Sequence, residues 1–327
     1  MNLRSAVVLV VVLVAALIVG ACTPTAGGDF PNKPVTMIVP WAAGAVPDVG
    51  TRLVTPGVSK ILGQEVVVVN KEGASSQTGL QEVADAKPDG YTLANATFPR
   101  FNTIILDPSR KAKFDVDSFT HVISQVLDPG VIYVKADSPY KSLEQLIEAA
   151  KANPGKITAG GNTPLSDDHL MALMVQKAAG VQFRIVNFKG GDTEQVPALL
   201  GGHIEIAFDN AGTATPRVRT GEVRALAIAD KERSKMLPDV ATFGEKGYQN
   251  VVSSAFRSFL GPKGIPEAVV KKLEDAFKKT MAEQSYKDAM DKQGLGIKIM
   301  TGEDLKKYLK DMNERVKPTV EEALKTQ

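Results

Sequence analysis

The sequence predicts an α/β protein built on a mostly parallel sheet with helices on both faces and divided into two lobes. Three observations predict it. From Pro34 onward, short apolar runs alternate with amphipathic helical stretches, the order that parallel strands joined by crossover helices produce. Two long extended runs, "HVISQVLDPGVIYVKAD" (121 to 137) and "NVVSSAFRSFLGP" (250 to 262), read as passages between lobes instead of members of one sheet. A chain of 327 residues, 43% of them hydrophobic, can fill about two domain cores. Two crossings predict a discontinuous lobe, residues 31–127 with 252–327, and a continuous one, 128–251. The cleft between such lobes is a natural ligand site.

The elements follow in order. Met1 to Arg4 and the apolar run from Ala6 to Ala21 end in "VGAC"; the run is short for a membrane span, and small residues directly before Cys22 predict a lipoprotein signal peptide over 1–21. Cys22 is the single cysteine, so no intramolecular disulfide is possible, and lipid attachment is its expected role. The aperiodic "TPTAGGD" predicts a flexible tether over 22–30. "VTMIV" (35 to 39) is the first strand, and Pro40 stops it. In the loop that follows, Gly44 and Ala45 allow close backbone approach, and Asp48 is placed to cap the next helix with Arg52 one turn on to pair with it. "VVVVN" (66 to 70) is the second strand, "GLQEVADAK" (79 to 87) a helix, and "YTLANATF" (91 to 98) the third strand after the turn at Pro88, Asp89 and Gly90. Ser142 and Gln145 form a capping-box pair, and "NPG" (153 to 155) ends that helix. Pro266 sits in the first turn of another helix, and Thr301 with Asp304 opens the last, with a kink expected at Pro318.

Composition excludes several functions. A net charge of +2 with no basic stripe, and 6% aromatic residues, argue against a nucleic-acid partner. No repeat of about 20 to 50 residues suggests a solenoid. Ser166, Asp168 and His169 fall within four residues at a helix start, which suits a cap and first-turn residues better than a hydrolytic set. His121 and His203 lack companions at ligand spacing, so no metal is expected. There is no phosphate-binding glycine loop, nucleophile elbow or dinucleotide fingerprint, so neither cofactor nor catalysis is expected.

Two strand-to-helix loops carry the functional signal: "PWAAGAVPDVGTRLV" (40 to 54) and "VVVVNKEGASSQTGL" (66 to 80). Each runs a buried strand through small residues into a helix whose first amides lack internal partners, an arrangement that suits an anion. Trp41, the sole tryptophan, either walls a pocket there or belongs to ordinary core. With "KPDGYTL" (87 to 93), "SDDHL" (166 to 170), "NFKGGD" (187 to 192), "LLGGHIEIAFDN" (199 to 210), "GEVRALAI" (221 to 228) and "FLGPKGIPEAVVKKL" (259 to 273), the chain resembles the receptor family of tripartite tricarboxylate transporters, the Bug or TctC proteins. The resemblance covers nearly all of residues 31 to 325. It implies an extracytoplasmic solute-binding protein with a type II periplasmic-binding-protein fold that closes over a small carboxylate.

By the same resemblance, the first loop would contact ligand through Ala43, Gly44, Ala45 and Asp48, and the second through Ala74, Ser75, Ser76 and Thr78. The other lobe would contribute Thr163, Ser166, Lys189, Gly190, Gly191 and Asp209. Three departures stand out. Ala45, Val46 and Pro47 replace the family's glycines and threonine, "GASS" replaces "GAGG", and Glu72 replaces a proline. Pro47 removes one backbone donor, while Ser75 and Ser76 return hydroxyls. The resulting expectation is a monomeric, lipid-anchored receptor outside the cytoplasmic membrane that delivers a di- or tricarboxylate, acidic amino acid or aromatic acid to membrane transporter subunits. The rival readings are the same receptor signalling to a sensor kinase and an anchored α/β hydrolase.

Overall fold

The computed structural model describes residues 30–188 and 191–325. The signal segment, Cys22, nearly all of the tether, Lys189 and Gly190 lie outside the described residues.

The chain opens on β1 (Val35–Val39), followed by α1 (Val46–Leu62), β2 (Val66–Asn70), a short 3-10 turn at Ala74–Ser76, α2 (Gln77–Ala84), β3 (Thr92–Phe98) and α3 (Arg100–Leu106). A 17-residue strand, β4 (Phe119–Lys135), comes next. It leads to α4 (Leu143–Ala152), β5 (Thr158–Gly161), α5 (Asp167–Ala179), β6 (Arg184–Asn187), α6 (Asp192–Leu200), β7 (Ile206–Asn210), α7 (Ala211–Arg219) and β8 (Val223–Ala229). The chain returns through β9 (Ser254–Pro262) and finishes with α8 (Glu267–Ala282), α9 (Gln284–Lys292) and α10 (Gly302–Leu324).

The strand order β2-β1-β3-β9-β4-β7-β5-β6, with β8 also on β4, forms one mixed sheet. β1, β2 and β3 are mutually parallel, as are β5, β6 and β7. β9 runs antiparallel to β3 on one side and to β4 on the other, and β4 runs antiparallel to β7 and β8. The length of β4 explains the architecture. It pairs with β9 up to Pro129 and with β7 and β8 from Gly130 onward, so one strand belongs to two sets of partners. Register then fixes where the parallel strands end. Phe98 at the end of β3 faces Phe256, Asn210 at the end of β7 faces Gly130, and Pro129 faces Ser254. The carboxyl ends of both parallel sets therefore converge on residues 126 to 130 of β4 and 254 to 257 of β9. Ligands in open α/β sheets bind outside strand carboxyl ends of this kind.

The core divides as the sheet does. Met37, Val54, Val58, Phe259 and Phe277 belong to one buried cluster, in which the Phe259 and Phe277 rings stack at 4.5 Å. Helices α1 and α8 approach closely at Gly57, where any Cβ would collide with the Thr280 side chain. A second cluster, with Phe98, Phe101, Phe208 and Phe256, spans both sides of the crossing strands. A third, with Tyr133, Ile204 and Leu237, fills the far end of the sheet.

Local expectations meet mixed outcomes. Ser142 caps α4 by accepting from the Gln145 amide, but the Gln145 side chain reaches past Ser142 to the Lys141 amide. Pro266 is the N-cap of α8 instead of a first-turn residue, because its extended ψ of 137° precedes the helix. Thr301 is the N-cap of α10 without a side-chain capping bond, and that helix continues through Pro318. Helix α2 begins at Gln77, two residues before Gly79, because the 3-10 turn leads directly into it.

Candidate functional site

The first loop differs from the sequence expectation at Asp48. Ala45 is the N-cap of α1, with φ −65° and ψ 156°, and Pro47 occupies the first turn, so Asp48 falls one turn too late to cap. Its buried carboxylate instead folds back. It accepts from the Gly44 amide at 2.8 Å, from Arg52 Nε at 3.0 Å, and from Asn70 Nδ2 at 2.9 Å. Asn70 also donates to the Trp41 carbonyl and accepts from Arg52 Nη2. Asp48 is thus the post to which the loop and the end of β2 are tied. Burial pushes its carboxyl upward, but the bonds from Arg52, Gly44 and Asn70 outweigh that and hold it below the ordinary aspartate value.

This tie consumes the Gly44 amide, and the Ala45 amide donates to the Ala42 carbonyl. The amides of Ala43, Val46 and Asp48 donate to no acceptor among the described residues. Ala43 and Gly44 are exposed and Ala45 is half-buried. Trp41 is half-buried, and its sealed indole N–H also lacks an acceptor.

The second loop is built from backbone strain. Gly73 has φ 130°, and Ala74, Ser75 and Ser76 follow with φ of 46°, 53° and 82°. Three non-glycine residues in succession occupy the left-handed region, at about 1–2 kcal/mol each; such strain gathers at ligand sites. Gly73 is doubly required, since a Cβ there would also lie 2.6 Å from Thr78 Oγ1. Arg110 Nη1 pins the turn by donating to the Ala74 carbonyl at 3.0 Å. The amides of Ala74, Ser75 and Ser76 find no acceptor among the described residues, and successive amides in a tight left-handed turn make an anion-binding concavity. Ser76 is buried with its hydroxyl unpartnered, while Ser75 and Thr78 are exposed. Glu72 is also exposed.

On the opposite side of the convergence, Thr163 Oγ1 accepts from Arg100 Nη2 of α3 at 2.9 Å, the direct tie between the two sets of strand ends. Ser166 caps α5 by accepting from the His169 amide, and His169 Nδ1 accepts from the Leu165 amide. Asp168 accepts from Asn162. Ser166, Asp168 and His169 therefore serve the loop and helix start, as the sequence expectation held. Gly191, with φ 64°, is the N-cap of α6 and donates to the Phe188 carbonyl. Asp209 is buried at 1% exposure and accepts from the Tyr133 hydroxyl at 2.9 Å, from Gln195 and from the Asn210 amide. Lys189 and Gly190 are not among the described residues.

The two sides differ in electrostatic character. Asp167 and Asp168 lie in the first turn of α5 and Asp192 in that of α6, so these positive helix ends already face the chain's own carboxyls. Burial drives Asp168 and Asp209 well above the usual carboxylate range, aided by neighbouring aspartates. Burial also lifts Asp128 of β4 to about 7, against the pull of its bond from the Gly212 amide and of Arg257. Asp48 holds the same first-turn place in α1, where Arg52 pairs with it, and the turn and helix after β2 have no acidic residue in their first turns.

Sequence reading missed four contributors: Asn70, Arg100, Arg110 and Arg257. Asn70, Arg100 and Arg110 act through contacts made only in three dimensions, and Arg257 is buried within β9. Behind the crossing, a cavity of about 490 Å³ opens beside Leu127, Pro129, Tyr308 and Arg315. Leu127 and Pro129 flank Asp128, so alternation along the strand turns them to its opposite face. Among the described residues no cluster suits a metal ion, and no helix is long and apolar enough to cross a membrane.

Comparison with known proteins bears on the family and the fold. A family model described as "Tripartite tricarboxylate transporter family receptor" matches residues 51–324. A Cupriavidus necator protein known from the gbd 5′ region is 34% identical over 309 residues, covering 94% of this chain and 93% of that one. A TctC solute-binding protein from Polaromonas superposes with a TM-score of 0.80 at 30% identity, over 90% of this chain and 100% of that one. An R. palustris protein solved with adipate superposes with a TM-score of 0.76 at 25% identity, over 90% of this chain and 98% of that one.

Proposed function

From the premise that this chain belongs to the tripartite tricarboxylate transporter receptor family, whose members are periplasmic solute-binding proteins and not a class of enzyme, we propose that it captures a small organic carboxylate and delivers it to the membrane subunits of such a transporter. The observation that carries the reading is the pair of loops at the converging strand ends. The open amides of Ala43, Val46 and Asp48 and those of Ala74, Ser75 and Ser76 lie in the loops that follow the adjacent strands β1 and β2, while the Asp48 carboxylate is bonded back to Gly44, Arg52 and Asn70. Fixed amides hold an anion well because their orientation is set before the ligand arrives. The likeness to a protein solved with adipate supports an organic acid as the ligand.

In this reading, residues 31–127 with 252–327 form one lobe and 128–251 the other, hinged where β4 changes partners, and they close on the ligand as a monomer. Thr163, Ser166, Gly191 and the 189–190 segment supply contacts from the second lobe. Cys22 carries the lipid that keeps the receptor at the outer face of the membrane. A thermal-shift screen against di- and tricarboxylates, acidic amino acids and aromatic acids tests the proposal. A ligand at 100 times its dissociation constant adds about 2.7 kcal/mol of stability, so at least one acid is expected to raise the melting temperature clearly. A panel in which every acid leaves the transition unmoved contradicts the reading.

A further inference from the structure

Resting on the carboxylate-receptor reading, we propose that Arg257 reads a second anionic group on the ligand and makes this receptor selective for diacids over monoacids. Arg257 lies near the start of β9, opposite Thr97 of β3 and Val126 of β4, at the edge where both sets of strands end. It is 6% exposed. Its Nε and Nη1 are sealed from solvent, and among the described residues they have no hydrogen-bond partner and the arginine forms no ion pair. A buried guanidinium in that condition is costly. Its planar fork matches one carboxylate, two N–H groups to two oxygens.

The chain's own acids do not fill this role. Arg257 feels the charges of Asp128, Asp167 and Asp192, but each of these carboxyls is bonded elsewhere. Asp128 accepts from the Gly212 amide, Asp167 from Asn210 Nδ2 and Asp192 from the Thr213 hydroxyl. Arg100 provides the contrast: it is comparably buried at the same edge, yet its guanidinium is taken up by Thr163 Oγ1 and the Pro164 carbonyl. Among the described residues, Arg257 is the arginine of this edge that remains uncommitted. Across the strand pair, the buried Thr97 hydroxyl is also without a partner and supplies a further donor beside it. The loop amides hold one carboxylate, and Arg257 with Thr97 holds the other.

The test is calorimetry on the purified full-length protein with succinate, glutarate and adipate, each against its monomethyl ester, for wild type, Arg257→Gln and Arg257→Lys. The proposal expects wild type to bind at least one diacid tenfold or more tighter than its ester. Arg257→Gln should bring that ratio to within about twofold while the ester's own affinity changes little, and Arg257→Lys should keep an intermediate ratio. A merely structural arginine would weaken acid and ester together and leave the ratio intact; that result, or a wild type that binds acid and ester equally, overturns the proposal while leaving a carboxylate receptor standing. If no acid in the set binds wild type, this proposal is overturned, while the receptor reading stands or falls on the wider thermal-shift panel. Should Arg257→Gln not fold, the ratio in Arg257→Lys decides: an unchanged ratio in a variant that cannot reproduce the fork contradicts the assignment.

Discussion

Ser75 and Asp48 show how single residues shape the site in opposite ways. Ser75 holds φ 53° in a turn that nothing but its surroundings imposes, so Ser75→Gly should stabilise the protein by about 1 kcal/mol in urea unfolding by removing left-handed strain. Ser75→Leu should weaken carboxylate binding by roughly tenfold or more, about 1.4 kcal/mol, by covering the open amides, whereas Lys71→Ala, which removes an exposed pair with Glu82, should change it little. Asp48 and Asp128 titrate in opposite senses. The Asp48 carboxyl is held low, so its contribution is present above the unfolded-state value and is lost as pH falls through the folded one. Asp128 is raised to about 7, so the folded state keeps a proton that the unfolded chain has released, and stability declines as pH rises from about 4 to 7. Unfolding at several pH values should show a shallower decline in Asp128→Asn, by up to about 1.4 kcal/mol per pH unit within that window; identical slopes would contradict the raised value.

Elements were legible in the sequence where local signals act alone. Strands at 35–39 and 66–70 follow from apolar runs rich in β-branched residues, the strand at 92–98 from the turn at 88–90 before it, and the Ser166 cap from its position before a helical pattern. What the sequence did not disclose depends on long-range geometry. Asp48 has the composition of a cap, but Pro47 at the first turn moves the cap back to Ala45. The left-handed run at 74–76 is hidden because two of its residues are serines, not the glycines that announce such a backbone. Arg257 sits inside an apolar run and reads as a strand residue; its importance appears only when β3 and β4 are seen to flank it. The close approach of α1 and α8 gives a prediction at this scale. Gly57→Val should cost about 1–3 kcal/mol by overpacking against Thr280, and Gly57→Val with Thr280→Ser should recover part of it.

At the scale of the molecule, two groups of parallel strands are joined through the antiparallel pair β9 and β4, and every group argued to touch the ligand lies at the junction. Closure should reduce the radius of gyration in solution scattering at saturating ligand, and an unchanged profile at proven saturation would count against a hinge. Cys22→Ser should release the protein from membranes or leave its precursor uncleaved, and unaltered fractionation and processing would remove the lipid anchor from the account. The most direct test is a crystal structure of the protein grown with whichever acid gives the largest thermal shift. The account predicts a carboxylate with oxygens about 2.7–3.2 Å from amides in both loops, 43–48 and 74–76. An acid seated instead in the cavity beside Tyr308 and Arg315, with those amides facing only solvent, would contradict it.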